Sequence, residues 1–176
     1  MNKYAFVDRD GTFLWEPEKP EGVDPRETFP LKSMDEFRFM DGGKENLKKL
    51  ADKGYKLVMV TNQTFLGTDK HPKEIFDKVM QRINDELSAE GVSFDFIMVC
   101  PHGPDEDCDC RKPKIGGLKD FLKEREGTVD LQNSFMFGDR DTDRQFADNL
   151  GIQFVPIETN KEFKLPSIIT ESSELK

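Results

Sequence analysis

The chain has 176 residues, which is enough for one domain with a substantial buried core and without disulfides. Charged residues make up 35% of the chain and its formal net charge is -9, which argues against nucleic acids and anionic membranes as partners but allows a small anionic substrate in a locally cationic pocket. The first residues lack a signal-peptide core and no segment is long enough to span a bilayer, so the sequence predicts a cytoplasmic protein.

Short apolar runs and segments of helical period alternate from the start of the chain. Residues 4–7 form an apolar run that predicts a buried first strand. Residues 15–35 are rich in proline and acidic side chains and show little periodicity, which predicts a flap. Residues 41–53 predict a helix that Asp41 caps and Gly54 closes.

The same alternation continues to the end of the chain. The remaining predicted elements are, in chain order, a strand at 56–61, a helix at 72–90, a strand at 94–100, a helix that Pro113 opens and that runs to 126, a strand at 134–137, a helix at 142–150, a strand at 152–156 and a polar tail at 164–176 that frays. This order predicts an α/β fold with a doubly wound, mostly parallel sheet covered by helices on both faces. We expect one domain over residues 1–176, with functional groups at the carboxyl ends of the strands.

Two acidic residues follow the first predicted strand. Asp8 and Asp10 are separated by one residue, so both carboxylates can point from one face of the strand end, and Gly11 allows the backbone to turn beneath an anion. A carboxylate that attacks phosphorus needs a cation beside it, an acid for the leaving oxygen and donors for the phosphate oxygens. Taken alone, the same residues are also typical of a plain turn after a strand.

Other segments supply the donors and the cation site. Thr61, followed by Asn62, places a hydroxyl at another strand end, and Lys112 stands at a predicted helix start, where backbone amides favour phosphate. Three acids follow the fourth strand, of which Asp139 is best placed to complete an oxygen-rich Mg²⁺ site. Asp141 or Asp143 can instead cap the next helix, and for Asp141 the cap is the favoured interpretation.

The order and type of these segments resemble the haloacid dehalogenase superfamily of phosphohydrolases over nearly the whole chain. Its four motifs match Asp8-x-Asp10-Gly11-Thr12, Thr61, Lys112 and Gly138-Asp139-x-x-x-Asp143. The resemblance implies these roles: Asp8 as nucleophile and Mg²⁺ ligand, Asp10 as general acid/base that also offers its backbone carbonyl to Mg²⁺, Thr61 with Asn62 and Lys112 as phosphate holders, Asp139 as the remaining Mg²⁺ ligand, and Asp143 as a carboxylate behind the ligands. It therefore implies a magnesium-dependent phosphomonoesterase that forms an aspartyl phosphate and acts on a small phosphorylated metabolite.

All three cysteines lie in one short loop that also holds a histidine. The four residues are Cys100, His102, Cys108 and Cys110. Such crowding indicates a metal site rather than a disulfide framework, and three thiolates with one imidazole suit a closed, structural Zn²⁺ site. The alternative is a set of buried free cysteines. Within the superfamily, this loop at about residues 100–112 resembles the zinc loop of histidinol-phosphate phosphatases and heptose-bisphosphate phosphatases. The other histidine, His71, lies in a polar stretch and is predicted to be a surface residue.

Three features separate these two relatives. The segment 66–68, the long excursion over 15–39 and the gap of five residues between His102 and Cys108 resemble the histidinol-phosphatase domain that is often fused to imidazoleglycerol-phosphate dehydratase. The Thr-Phe pair at 64–65 departs from the Asp-Gly of that domain. The resemblance implies hydrolysis of L-histidinol phosphate in histidine biosynthesis, with possible fusion to, or association with, the dehydratase.

Other functions stay open at this point. The chain can instead be a heptose 1,7-bisphosphate phosphatase or another sugar-phosphate phosphatase, or a zinc-stapled binding module without catalysis. The flap carries acidic residues that either face a cationic group of the substrate or form a solvated acidic loop: Glu16, Glu18, Glu21 and Asp24.

Overall fold

The structure, a computed structural model, describes residues 1–171. Its five strands are β1 Lys3–Val7, β2 Tyr55–Asn62, β3 Phe94–Cys100, β4 Phe135–Gly138 and β5 Gln153–Pro156. All neighbouring strands pair in parallel, in the order β3-β2-β1-β4-β5. The predicted parallel α/β sheet is confirmed, and β1 lies at its centre.

Helices cover both faces of this sheet. They are α1 Gly43–Asp52, α2 Lys73–Ala89, α3 Lys119–Glu124, α4 Asp141–Leu150 and α5 Ser167–Thr170. The side chains of β1 alternate between the faces: Ala5 and Val7 pack in a cluster with residues of α1, α2 and α5, while Tyr4 and Phe6 pack with residues of α3 and α4. Two cores therefore hold the central strand, and they fix the position of the residues that follow it.

Two helices begin later than the sequence predicts. The residue immediately before α1 is Gly42, not Asp41. Position 42 requires glycine, because its φ is 73° and a Cβ on this residue would lie 2.8 Å from the carbonyl oxygen of Phe163. The chain after Pro113 forms a 3₁₀ turn at Gly116–Leu118 before α3 starts. The prediction that Pro113 opens a helix is therefore wrong, and the cation before it does not stand at a helix start.

The flap and the tail lie outside the sheet. Within the described chain, residues 15–33 contain no helix or strand, and a 3₁₀ turn follows at Met34–Glu36. The tail forms α5, whose Ile169 is buried, so the prediction of fraying is wrong up to residue 171, while residues 172–176 lie outside the described part. Among residues 1–171, no helix combines the length and apolar character needed to cross a bilayer.

Candidate active site

The carboxyl ends of the three central strands meet at one edge of the sheet. β1 pairs with β2 on one side and with β4 on the other. Asp8 directly follows β1, Thr61 lies in the last part of β2, and Asp139 directly follows β4. The fold therefore brings these predicted site residues together from three distant segments, as expected for a parallel sheet.

Lys112 joins two acids of the site by ion pairs. Its Nζ lies 2.7 Å from Oδ1 of Asp8 and 2.7 Å from Oδ1 of Asp143, and all three residues are buried. Burial alone would lower the pKa of Lys112, but the two carboxylates raise it above its ordinary value, so the ammonium group stays charged. Burial raises the pKa of Asp8 to about 8, although Lys112 acts in the opposite direction.

Two further side chains hold this lysine and its partner in place. Asn62 Oδ1 accepts from the backbone N–H of Lys112 at 3.0 Å, and its Nδ2 donates to the carbonyl of the same residue at 3.3 Å. Asp143 Oδ2 accepts from the backbone N–H of Arg140 at 3.0 Å, which caps the start of α4. The prediction that Asp141 caps α4 is wrong, because Asp143 provides the cap. The side-chain amide of Asn62, predicted to hold phosphate, therefore bonds to the backbone N–H and carbonyl of Lys112.

Asp139 is oriented by groups from two loops. Its Oδ2 accepts from Thr159 Oγ1 at 2.7 Å, and Thr12 Oγ1 lies 3.5 Å from its Oδ1. Gly11 passes close beneath this carboxylate, since a Cβ at that position would lie 2.6 Å from Oδ2 of Asp139. A side chain at position 11 would therefore displace Asp139, and the positive φ of 76° there also favours glycine.

Three acids of the site can hold a cation together. Asp8, Asp139 and Asp143 each offer one carboxylate oxygen, and these oxygens all lie within 4.8 Å of one another. Lys112 neutralises only part of this charge, and burial raises the pKa of Asp139 as well as that of Asp8. An all-oxygen donor set with excess negative charge fits a hard divalent cation such as Mg²⁺.

The cysteine-rich loop also gathers a set of metal-ligating atoms. Cys100 Sγ lies 3.0 Å from Cys110 Sγ and 3.8 Å from Cys108 Sγ, and His102 Nδ1 lies 3.3 Å from Cys110 Sγ. All four ligand atoms lie within 4.8 Å of one another. Tetrahedral bonds of about 2.3 Å to sulfur would separate sulfur atoms by about 3.8 Å. The distance between Cys100 and Cys108 matches this value, and that between Cys100 and Cys110 is shorter, so the donor set suits a Zn²⁺ ion once this one pair opens.

The family model described as polynucleotide kinase 3 phosphatase matches residues 5–160, which is more than half of the chain. The chain belongs to this phosphatase family. Among curated relatives, "Histidine biosynthesis bifunctional protein HisB" of Legionella pneumophila (strain Lens) is 41% identical over 157 residues, which cover 89% of this phosphatase and 42% of the relative. HisB of Campylobacter jejuni is 38% identical over 151 residues, covering 86% and 40%. The phosphatase therefore spans about two fifths of the length of these relatives.

Solved structures agree with this assignment. The D,D-heptose 1.7-bisphosphate phosphatase from B. bronchiseptica, complexed with magnesium and phosphate, matches with a TM-score of 0.73 and 25% identity, covering 99% of this phosphatase and 88% of that chain. A HAD-superfamily hydrolase from Geobacter sulfurreducens shares the fold, with a TM-score of 0.57, 16% identity and coverage of 97% and 96%. The predicted superfamily and enzyme class, a phosphoric monoester hydrolase, are confirmed.

The flap of the phosphatase is bound to the loop after β2. Thr28 donates through Oγ1 to the carbonyl of Asn62 and through its backbone N–H to Thr64 Oγ1 at 3.0 Å. Arg111, next to the Cys/His group, donates to Thr64 Oγ1 at 3.3 Å and to the carbonyl of Arg26 in the flap. Thr64 stands where the sequence departs from Asp-Gly, and its hydroxyl connects the flap to the cysteine-rich loop.

The base of the flap is also fixed, by a buried ion pair. Glu16 is buried, its carboxylate pairs with the guanidinium of Arg140, and its backbone N–H and carbonyl bond to the side chain of Asn160. The carboxylate of Glu16 is therefore already engaged by protein groups. The alternative of a solvated acidic loop is wrong for Glu16, because its side chain is buried, and the pair with Arg140 argues against contact with a cationic group of the substrate.

His71 lies in the interior rather than at the surface. It is 2% exposed, and its Nδ1 lies 3.0 Å from the carbonyl oxygen of Thr64. Burial lowers the pKa of His71, so the ring is neutral at pH 7. The predicted surface position is wrong, because the turn over 66–71 folds back and packs the ring against Phe76 of α2.

Sequence reasoning missed several polar residues of the site. They are Arg9 and Gln63, which donate to the Asp10 carboxylate, Arg140, which lines the cleft beside Asp8, and Thr159, which donates to Asp139. For Arg9 and Arg140 a signal was available, because each stands between acids of a motif and a cation there has nearby counter-charges. Thr159 lies in the loop after β5, and no local pattern indicates that its hydroxyl reaches Asp139.

Proposed function

We propose that this chain is a magnesium-dependent phosphomonoesterase that forms an aspartyl phosphate on Asp8 and hydrolyses L-histidinol phosphate. The observation that carries the chemistry is the buried acid cluster, in which Lys112 Nζ lies 2.7 Å from the Asp8 carboxylate and two further acids lie beside it. A carboxylate nucleophile at phosphorus needs this surplus of cation-binding oxygens and a fixed ammonium.

The proposed reaction consists of two successive displacements at phosphorus, in which each site residue has its own role. An oxygen of Asp8 forms a bond to phosphorus while the bond from phosphorus to the substrate oxygen breaks, and Asp10 gives a proton to that oxygen. Asp10 then takes a proton from a water molecule, whose oxygen attacks the phosphorus and releases Asp8. Lys112 and the Thr61 hydroxyl hold the phosphate oxygens during both steps.

Two metal ions would complete this arrangement. Asp8, Asp139 and the backbone carbonyl of Asp10 would hold Mg²⁺, with Asp143 behind them, and bound Mg²⁺ supplies charge neutralisation between nucleophile and phosphate. The four Cys/His residues would hold Zn²⁺ as a structural ion, because all four positions are filled by protein. This ion would order the loop that carries Lys112.

The relatives and the cleft both support L-histidinol phosphate as the substrate. The relatives, of whose length this chain covers about two fifths, are named for histidine biosynthesis. A cleft of about 300 Å³ leads to Asp8, and its arginines already have protein partners. Arg26 pairs with Asp24 and Asp105, and Arg140 pairs with Glu16. With these cations engaged, the cleft favours a substrate with one phosphate over a bisphosphate.

The resemblance to the heptose-bisphosphate phosphatase favours a second candidate. That structure covers 99% of this chain, so a sugar bisphosphate is the alternative substrate. Because the HisB relatives are bifunctional and longer, we also infer fusion to, or association with, imidazoleglycerol-phosphate dehydratase, in the cytoplasm. The shared position of the acids at the strand ends supports catalysis over a purely zinc-stapled binding role.

Phosphate release decides between the two substrates. Histidinol phosphate, heptose 1,7-bisphosphate and a hexose bisphosphate are compared at equal magnesium, with Asp8→Asn as the control for contaminating phosphatase. We expect kcat/KM for histidinol phosphate to exceed the others by at least about tenfold, or ~1.4 kcal/mol. A preference for the heptose bisphosphate would instead establish the alternative.

A further inference from the structure

Asp10 is enclosed by donors that none of the motif roles explains. Arg9 Nε lies 3.0 Å from Oδ1 and 3.1 Å from Oδ2 of Asp10, and Nη2 of Arg9 lies 2.9 Å from Oδ1. Gln63 Nε2 donates to Oδ2 at 2.6 Å. Both carboxylate oxygens are thus held by a neighbour in sequence and by a residue of the loop after β2.

Further hydrogen bonds fix the positions of the two donors, Arg9 and Gln63. Gln63 Oε1 accepts from Arg9 Nη2 at 2.8 Å, and Gln63 Nε2 also donates to Thr61 Oγ1 at 2.6 Å. The amide of Gln63 therefore has its oxygen toward the guanidinium and its nitrogen toward the two oxygen acceptors, which leaves it one orientation. Arg9 and Gln63 are 2% and 0% exposed, so water does not compete for these bonds.

α2 supports the guanidinium from the opposite side. Arg9 Nη1 lies 3.6 Å from Met80 Sδ, and its guanidinium carbon lies 5.3 Å from the centre of the Phe76 ring. A turn in which Phe13 and Leu14 donate to the carbonyl of Arg9 keeps its backbone in place. The guanidinium therefore fills a slot between apolar side chains and the Asp10 carboxylate, and it cannot swing out toward solvent.

We infer that Arg9 and Gln63 are positioning residues for Asp10, which rests on the proposed role of Asp10 as general acid and base. A free aspartate turns about two side-chain bonds, whereas proton transfer requires its oxygen to be within hydrogen-bond reach of the leaving oxygen. A planar guanidinium on both oxygens, locked to a fixed amide, restricts this rotation. Displacement of a catalytic group by about 1 Å can cost on the order of 10²-fold in rate.

The dependence on the leaving group tests this inference. A poor leaving group needs protonation by Asp10, whereas p-nitrophenolate leaves without it. The assay compares the alkyl phosphate that the wild type hydrolyses fastest with p-nitrophenyl phosphate, in wild type, Arg9→Met, Gln63→Leu and Asp10→Asn. The quantity compared is kcat/KM, because it reports the first displacement and excludes the hydrolysis of the aspartyl phosphate, which needs Asp10 for both esters. For Arg9→Met we expect kcat/KM to fall about 10²-fold on the alkyl ester and less than about fivefold on the aryl ester.

Several controls separate positioning from a general defect. Arg125→Met removes a guanidinium that stacks on Phe121, and we expect both esters to be hydrolysed at the wild-type rate. The double variant Arg9→Met/Asp10→Asn should hydrolyse the alkyl ester no more slowly than Asp10→Asn alone, because the two residues act as a unit. Circular dichroism checks folding, and Gln63→Leu, which removes no charge, decides the question where Arg9→Met does not fold.

The outcomes distinguish the inference from the function on which it rests. A wild type that hydrolyses neither ester overturns the proposed function and the inference together. An active wild type in which Asp10→Asn selectively slows the alkyl ester, while Arg9→Met and Gln63→Leu slow both esters equally, overturns only the positioning role. Selective loss in Gln63→Leu and Arg9→Met supports it.

Discussion

Lys112 should be the residue whose loss destabilises this phosphatase most visibly at high pH. It is 3% exposed, and its ammonium lies 2.7 Å from each of the Asp8 and Asp143 carboxylates. Lys112→Met leaves these buried acids without their cation. Asp8 still carries a proton at pH 7, so the pair that is broken there is the one with Asp143. Breaking a buried pair costs about 3–5 kcal/mol, and we expect that loss at pH 7 in magnesium-free buffer with zinc retained.

The pH dependence of this loss follows from Asp8. Its pKa of about 8 lies far above the unfolded value of 3.8, so the folded state retains a proton that the unfolded state has lost, and stability falls as pH rises from about 4 to 8. This fall stops in the wild type once Asp8 ionises beside Lys112. Without the lysine, ionisation requires a still higher pH, so the gap to wild type should widen by up to about 1.4 kcal/mol per pH unit above 8.

Urea unfolding at pH 7 and pH 9 measures both effects. Lys48→Met is the matched control, because this side chain is 43% exposed and its Nζ lies 3.0 Å from Asp52 one turn along α1, so its loss should cost less than about 1 kcal/mol at either pH. Equal losses in Lys112→Met and Lys48→Met would refute the buried ion pairs. A gap that stays constant between pH 7 and pH 9 would refute the coupling between Lys112 and Asp8.

Three further changes test other parts of the site. Asp8→Asn should keep the fold and lower phosphate release below about 1% of wild type, and higher residual activity would exclude Asp8 as nucleophile. In thermal melts without metal, the same change should remove much of the fall in stability between pH 4 and 8. Cys108→Ser should lose zinc by elemental analysis and lower activity that added magnesium does not restore, whereas a zinc-free variant with full activity would show that the loop acts independently of Lys112. Thr64→Val should raise KM severalfold and speed tryptic cleavage at Arg26, because the flap loses its hydroxyl anchor; unchanged cleavage would contradict that anchor.

The extent to which sequence predicts a contact depends on how local it is. The order of strands and helices followed from hydrophobic periods of 2 and 3.6, because these periods reflect burial on one face of each element. The Cys/His group followed from crowding within one loop, and its four ligand atoms indeed lie within 4.8 Å of one another. The helix starts at Asp41 and Pro113 were wrong, because close backbone approaches at Gly42 and a 3₁₀ turn before α3 override local capping signals.

The sequence by itself determined the parallel α/β architecture and the acids at its strand ends, because parallel strands bring their carboxyl ends to one edge. Only the tertiary structure decided which side chains hold those acids. Lys112 bridging Asp8 and Asp143 and the burial of His71 depend on contacts between segments far apart in the chain. Such contacts depend on the direction of each side chain and on the packing around it, and no local period of the sequence specifies either.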